Sequence, residues 1–374
     1  MTSRTASGAK TLPQVYYTSE AVFEREMELI FSHRWLFAGH VSQLTEPGDF
    51  FLFQIGKESL IIVRDRQHKV RAFFNVCRHR GARICGEAKG HLASAIQCPY
   101  HAWTYGLDGS LVGAPTMGDV EQFDRDDYPL HPASVRVWEG LIFVNLADRP
   151  EPFEEVFAPL LGKFSHWQIT ELRSVHQTVY DVAANWKLLF QNYSECYHCP
   201  TVHPVLNELT PFRNSENDID EGPFLGGPMR MSIPGGSMTM SGARCAAPLG
   251  EVSAEDLDRV YYYTLFPNLF LSLHPDYVLI HRGEAQAVDR TRITCDWYFH
   301  PDAIAREDFD PTPAVQFWDM TNREDWNLCT ISQQGISSRV YSPGPYSELE
   351  SQLAAFDREY LRALGHDTPE LQRV

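Results

Sequence analysis

Residues 19–33 place apolar side chains at helical spacing. Phe23, Met27, Ile30 and Phe31 form one stripe, Ser19 stands where an N-cap belongs, and Glu20 suits the positive end of the helix. From Gly48 to Asn145 the period shortens. The segments 50–55, 59–63, 70–76, 93–97, 135–138 and 141–145 are rich in β-branched and aromatic residues and are broken by Gly, Pro and Asp, which predicts short antiparallel strands. Beyond Pro150 the character changes again. Helices are predicted at 153–164, 185–198, 314–332 and 347–364, and strands at 175–182, 260–266, 269–274, 278–284 and 291–299. Residues 204–249, rich in Gly, Pro, Met and Ser, read as irregular. The expected fold class is α+β: a small antiparallel β domain, then a larger antiparallel sheet covered by helices. The expected divisions are 1–42, 43–150 and 151–374, the first segment packing with the third.

A chain of 374 residues can bury two cores, and 43% hydrophobic content is ordinary for a globular protein. The net charge of −17, with no basic block, argues against nucleic acid and anionic membrane surfaces as partners. Met1–Pro13 lacks an apolar core of signal-peptide length and no run of 18 apolar residues occurs, so a cytoplasmic location is expected. The eight cysteines are scattered rather than framed as a disulfide scaffold.

Two of those cysteines carry chemistry. Cys77-Arg78-His79 is followed, after 18 residues, by Cys98-Pro99-Tyr100-His101. Two thiolates and two imidazoles suit zinc. The Cys-x-His and Cys-x-x-His halves are also the arrangement of a Rieske [2Fe–2S] centre, in which two Cys hold one iron and two His the other. Strand-like runs lead into both halves, and Gly81 and Gly106 follow them, which favours the cluster. A second group lies about a hundred residues on. His198 and His203 are five apart and would point about 140° from each other on an unbroken helix. Pro200 is expected to end the helix near Cys199 and let both imidazoles turn to one metal. Two His and a distant carboxylate make the facial triad of non-haem iron oxygenases.

With Tyr16–Glu20, Trp35, 75–109, 185–204 and 322–338, the chain resembles the Rieske non-haem iron oxygenase α-subunits over nearly its whole length. The resemblance implies that Asp325 of Glu324-Asp325 is the third ligand beside His198 and His203, with Glu324 as the alternative. It also implies that Glu195 links a cluster His of one subunit to an iron His of its neighbour in a head-to-tail homotrimer; most relatives carry Asp at this position. Asn192 is expected near the iron, and Trp186 and Lys187 to pack and orient the ligand helix. A separate flavin/iron–sulfur reductase would bring electrons from NAD(P)H, with O2 as co-substrate.

Glu195–Cys199, the Asp325 context and 342–346 look like the quaternary-ammonium branch of that family, which implies hydroxylation of an N-methyl carbon, glycine betaine first, then carnitine or choline. A trimethylammonium group wants aromatic faces. Phe190, Tyr193, Tyr261, Tyr263, Phe266 and Phe270 are the candidates, and the carboxylate's partner is expected within 204–250. The alternatives are an aromatic-ring oxygenase and an electron carrier or zinc-stabilised module without oxygenase activity.

Overall fold

The computed structural model describes residues 8–366. They fall into two compact units, Ser32–Leu161 and the chain up to Phe31 together with Gly162 onward. No helix among the described residues is long and apolar enough to cross a membrane.

The unit Ser32–Leu161 is built from three small sheets, each antiparallel. Four strands pair in the order Val70–Phe74, Glu58–Arg64, Asp49–Ile55 and Lys89–His91. Ala95–Gln97, Thr104–Gly106 and Leu111–Gly113 form a second sheet, and Leu36–His40, Leu141–Asn145 and Ser134–Trp138 a third. Ile61, Phe73, Ile96, Trp103 and Tyr105 lie in one buried cluster with Cys77 and Cys98. Burying such large side chains contributes about 1.5–3 kcal/mol each, which makes this core a rigid floor for the two cysteines.

The other unit centres on a six-stranded antiparallel sheet. Its order is Arg173–Val182, Arg290–Phe299, Val278–Ala287, Leu269–Leu273, Arg259–Leu265 and Phe224–Arg230. The last strand lies inside the segment expected to be irregular. Gly226, Gly227 and Pro228 hide it from propensity, and Pro is tolerated because the strand is at an edge. The helix expected over 153–164 is a single turn, Phe153–Val156, with Pro159 and Gly162 preventing its continuation.

The ligand helix also differs from expectation. It spans Trp186–Tyr193 and stops well before His198. Pro200 opens the next short helix, Cys199–Val202, rather than closing the first. Asn185 caps the ligand helix, its Oδ1 accepting from the Lys187 N–H. Buried Glu26 accepts from Trp186 Nε1 (2.8 Å), Lys187 Nζ (2.5 Å) and Tyr360 OH (2.5 Å), tying the helix to both termini of the unit. Three donors satisfy the buried carboxylate, which is the condition for a buried ion pair to hold. The long helix Thr312–Ile336 packs against the same sheet and carries Asp325.

Candidate metal centres and active-site cavity

In the smaller unit the two motif halves are closed turns. Gly81 N–H donates to Cys77 O (2.9 Å) and Cys77 N–H to Ala82 O (2.8 Å); Ala102 N–H donates to Cys98 O (3.2 Å) and Cys98 N–H to Trp103 O (2.8 Å). Gly81 holds φ = 72°, a left-handed turn that a glycine makes without strain. Cys77 and Cys98 are buried, His79 is half-buried and His101 exposed. The imidazoles stand 4.7 Å apart between ring centroids, with His79 stacked on Trp103 at 4.8 Å.

The donor set fits a cluster. His79 Nδ1 is buried with no hydrogen-bond partner among the described residues, an orphan that a metal bond would satisfy. Burial and the neighbouring Cys77 both push the Cys98 thiol up, so two thiolates here require a cation between them. Burial, the charge of His101 and that of Arg80 hold His79 below its ordinary value, keeping it neutral and able to ligate. Tyr105 OH lies 3.4 Å from Cys77 Sγ and accepts from the Arg78 N–H (3.0 Å).

In the larger unit, ligand atoms of His198, His203 and Asp325 lie within 4.8 Å of one another. Asp325 Oδ1 is 2.8 Å from His203 Nε2 and 3.3 Å from His198 Nε2. The opposite ring nitrogens face two other carboxylates: His198 Nδ1 to Glu195 Oε1 at 2.5 Å, and His203 Nδ1 to Glu324 Oε2 at 2.6 Å. A carboxylate accepts, so each Nδ1 carries its hydrogen outward and each Nε2 is left as the donor atom aimed at Asp325. Burial opposes the imidazolium of His198, but Asp325 and Glu195 outweigh it and push that pKa up to about 10. His203 is raised against its own burial in the same way by Asp325 and Glu324. Asp325 is held below the usual carboxylate range, its burial overcome by the two imidazoles. Two imidazoles and a carboxylate converging with both outer nitrogens satisfied fit a divalent metal. Glu195 and His198 meet across a turn rather than along a helix face: Glu195 Oε2 accepts from the backbone N–H groups of Tyr197 and His198.

A cavity opens on this group. Its wall includes Asn192, Tyr193 and Glu195, the alternating strand residues Leu225, Gly227, Met229, Tyr262 and Thr264, and Trp318 and Thr321 from the helix of Asp325. The lining contains no lysine or arginine among the described residues. Of the six aromatic candidates only Tyr193 lines it. Phe190, Phe266 and Phe270 pack in the core, Tyr261 OH donates to Asp256 (2.6 Å), and Tyr263 OH reaches Asp218 (3.1 Å). Tyr262 and Trp318 were not among the candidates. Their rings meet edge-on at 6.0 Å, and Tyr262 meets Tyr193 at 6.2 Å. Trp318 is seven residues, two helical turns, before Asp325, and that spacing is legible in the sequence. Cys196 and Cys199 also line the cavity, Cys199 Sγ lying 4.0 Å from His198 Nε2.

Residues 169–366 match the family model of the ring hydroxylating alpha subunit catalytic domain, and residues 34–124 that of the Rieske [2Fe-2S] domain. The chain is 32% identical to the glycine betaine monooxygenase oxygenase subunit of Pseudomonas aeruginosa, over 97% of this chain and 92% of that one. It is 35% identical to the carnitine monooxygenase oxygenase subunit of Escherichia coli over 54% of each chain. A crystal structure of the quaternary ammonium Rieske monooxygenase CntA with γ-butyrobetaine superposes with a TM-score of 0.81 at 26% identity, covering 97% of both chains.

Proposed function

The chain belongs to the ring-hydroxylating α-subunit family of Rieske oxygenases, with a [2Fe–2S] cluster and a mononuclear iron as cofactors, and from that premise we propose that it demethylates a small quaternary ammonium compound, glycine betaine first among them. The observation that carries this reading is the cavity wall. Tyr193, Tyr262 and Trp318 contribute aromatic rings, and the lining holds no lysine or arginine among the described residues. A trimethylammonium group donates no hydrogen bond and is held by ring quadrupoles.

In this reading Cys77, Cys98, His79 and His101 hold the cluster, and His198, His203 and Asp325 hold the iron. When bound, the iron supplies activation of O2, and the cluster single electrons. The chain's residues do the rest. Glu195 and Glu324 keep the Nδ1 hydrogens in place, so that both Nε2 atoms stay available. Asn192, on the ligand helix, borders the cavity beside them. The ring faces turn a methyl carbon toward the iron ligands. The balance is one O2, two electrons and two protons per N-methyl group: one oxygen leaves as water and one enters the C–H bond. The resulting N-hydroxymethyl compound splits into formaldehyde, a proton and the tertiary amine, which is dimethylglycine when the substrate is glycine betaine. A separate NAD(P)H-dependent reductase delivers the electrons. Glu195 bridges to a cluster His of the next subunit in a homotrimer.

Purified protein, a reductase and NADH, incubated with glycine betaine, should yield formaldehyde and dimethylglycine in equal amounts. Consumption of NADH without either product would refute the reading.

A further inference from the structure

The cavity wall accounts for the cationic end of a betaine and leaves its carboxylate without a cation to meet. Resting on the quaternary-ammonium reading, we propose that Ser215 and Asn217 bind the substrate carboxylate at the cavity mouth, so that the trimethylammonium end is sorted inward to the iron ligands.

The register places these side chains. Ser215 bridges Met229 in antiparallel fashion, Glu216 N–H donates to Pro228 O (2.9 Å), and Asp218 N–H to Gly226 O (3.0 Å). The segment 215–219 thus lies along the edge strand Phe224–Arg230 through two isolated bridges, Ser215 to Met229 and Ile219 to Gly226, with a one-residue shift between them. Directly opposed residues share a sheet face. Ser215 therefore lies with Met229 and Asn217 with Gly227, on the face that also presents Leu225, Tyr262 and Thr264 to the cavity. Glu216, opposite Pro228, also borders the cavity, and its charge contributes to raising the pKa of Arg259. Gly227 permits the approach: a Cβ there would stand 1.9 Å from Glu216 O and 2.9 Å from Asn217 Cα.

Exposure points to the same pair. Most polar hydrogens of the wall are already committed. Ser194 donates to Phe190 O (2.7 Å), Thr321 to Phe317 O (3.0 Å), Trp318 to Tyr277 OH (2.7 Å) and Thr264 to Leu225 O (3.5 Å). The Tyr262 hydroxyl has no hydrogen-bond partner among the described residues but is buried, as is Gln352 beside Asn217, and Asn192 is half-buried. Ser215 and Asn217 are the polar lining residues with neutral donors that are exposed. A carboxylate at an exposed mouth keeps part of its hydration and needs only neutral donors.

The test compares two substrates in the reductase-coupled formaldehyde assay: glycine betaine, and tetramethylammonium, which has the cation and no carboxylate. Ser215→Ala/Asn217→Ala should raise KM for glycine betaine about tenfold or more, the equivalent of about 1.4 kcal/mol of hydrogen bonding, with kcat unchanged. KM for tetramethylammonium should not move. Asn217→Asp should weaken glycine betaine further and leave tetramethylammonium at least as good. Equal changes for both substrates, or none in the double variant, would overturn the proposal. If the wild-type protein turns over neither compound, the demethylation reading fails, and calorimetric binding of the two compounds to these variants decides the carboxylate assignment by the same pattern.

Discussion

Glu195 and His198 face each other across a single turn, Oε1 to Nδ1 at 2.5 Å, while Oε2 of the same carboxylate accepts two backbone N–H groups. One side chain therefore shapes the loop and sets the tautomer of the imidazole. Glu195→Gln should keep both metals, because Glu195 stands on the outer nitrogen and not at the converging atoms. The cluster should still be reduced. Turnover should fall at least tenfold, since the amide oxygen can still accept the Nδ1 hydrogen but the negative charge linking the two imidazoles is gone. Glu195→Asp should be milder, losing reach and keeping charge. Rapid mixing of reduced, substrate-bound protein with O2 reads the transfer step; wild-type reoxidation in Glu195→Gln would make this carboxylate a bystander.

Asp325 and Glu324 are neighbours on one helix with separate duties. Asp325 Oδ1 meets the Nε2 atoms of both histidines, whereas Glu324 takes the far nitrogen of His203. Asp325→Ala should lower iron from about three to about two per chain, leaving the cluster and its colour. Glu324→Ala should keep the metal site and weaken it by about ten- to a hundredfold, the usual effect of losing the partner behind a ligand. Iron and acid-labile sulfide analysis after dialysis against a weak chelator separates the two. Loss of iron in Glu324→Ala with retention in Asp325→Ala would exchange the roles.

The candidate ligand motifs were readable because each is local. Cys77-x-His79 and Cys98-x-x-His101 are each one turn, and a turn is fixed by its own few residues. His198 and His203 were readable for the same reason. Asp325, more than a hundred residues away, came only from the family resemblance; nothing local separates it from the other 48 acidic residues. The cavity was less legible. Tyr261, Tyr262 and Tyr263 are equal as sequence, and only the pairing of Gly227 with Tyr262 decides which ring faces the iron ligands. The Phe224–Arg230 strand was lost because Gly-Gly-Pro reads as a loop until a neighbouring strand supplies its partners.

Tyr105 OH lies beside Cys77 Sγ, and a cluster-bound thiolate can only accept its hydrogen. Such a bond stabilises the reduced, more negative cluster and so raises its potential. Tyr105→Phe should lower the midpoint potential by on the order of 40–60 mV, the one-electron equivalent of a bond worth about 1 kcal/mol. His79→Ala and His101→Ala should instead each abolish the Rieske signal in EPR, since each strips a ligand from the same iron. An unchanged potential in Tyr105→Phe, or a surviving spectrum in either histidine variant, would contradict the assignment.

Asp357 gives a pH dependence with a definite sign. It accepts from Gln191 Nε2 and Tyr346 OH, both at 2.7 Å, yet burial outweighs these bonds and pushes its pKa up to about 7. The unfolded chain releases this proton near pH 3.9. Between those values the folded state holds more protons than the unfolded one, so stability falls as pH rises. This contribution is complete below about pH 4 and is lost as pH climbs through 7. Asp65 works in the opposite sense: Arg71 and two backbone N–H groups overcome its burial and lower its pKa. The whole-protein profile therefore mixes signs, and the difference between wild type and Asp357→Asn isolates the group. The amide mimics the protonated acid and does not ionise in the unfolded chain either, so the two melting temperatures should nearly coincide only near pH 4. At pH 8 the variant should melt several degrees higher, the gap having grown by about 1.4 kcal/mol for each pH unit between the unfolded and folded pKa values and levelled off above 7. Parallel melting curves across that range would show that Asp357 is already ionised at pH 5, its charge carried by the neighbouring Lys187.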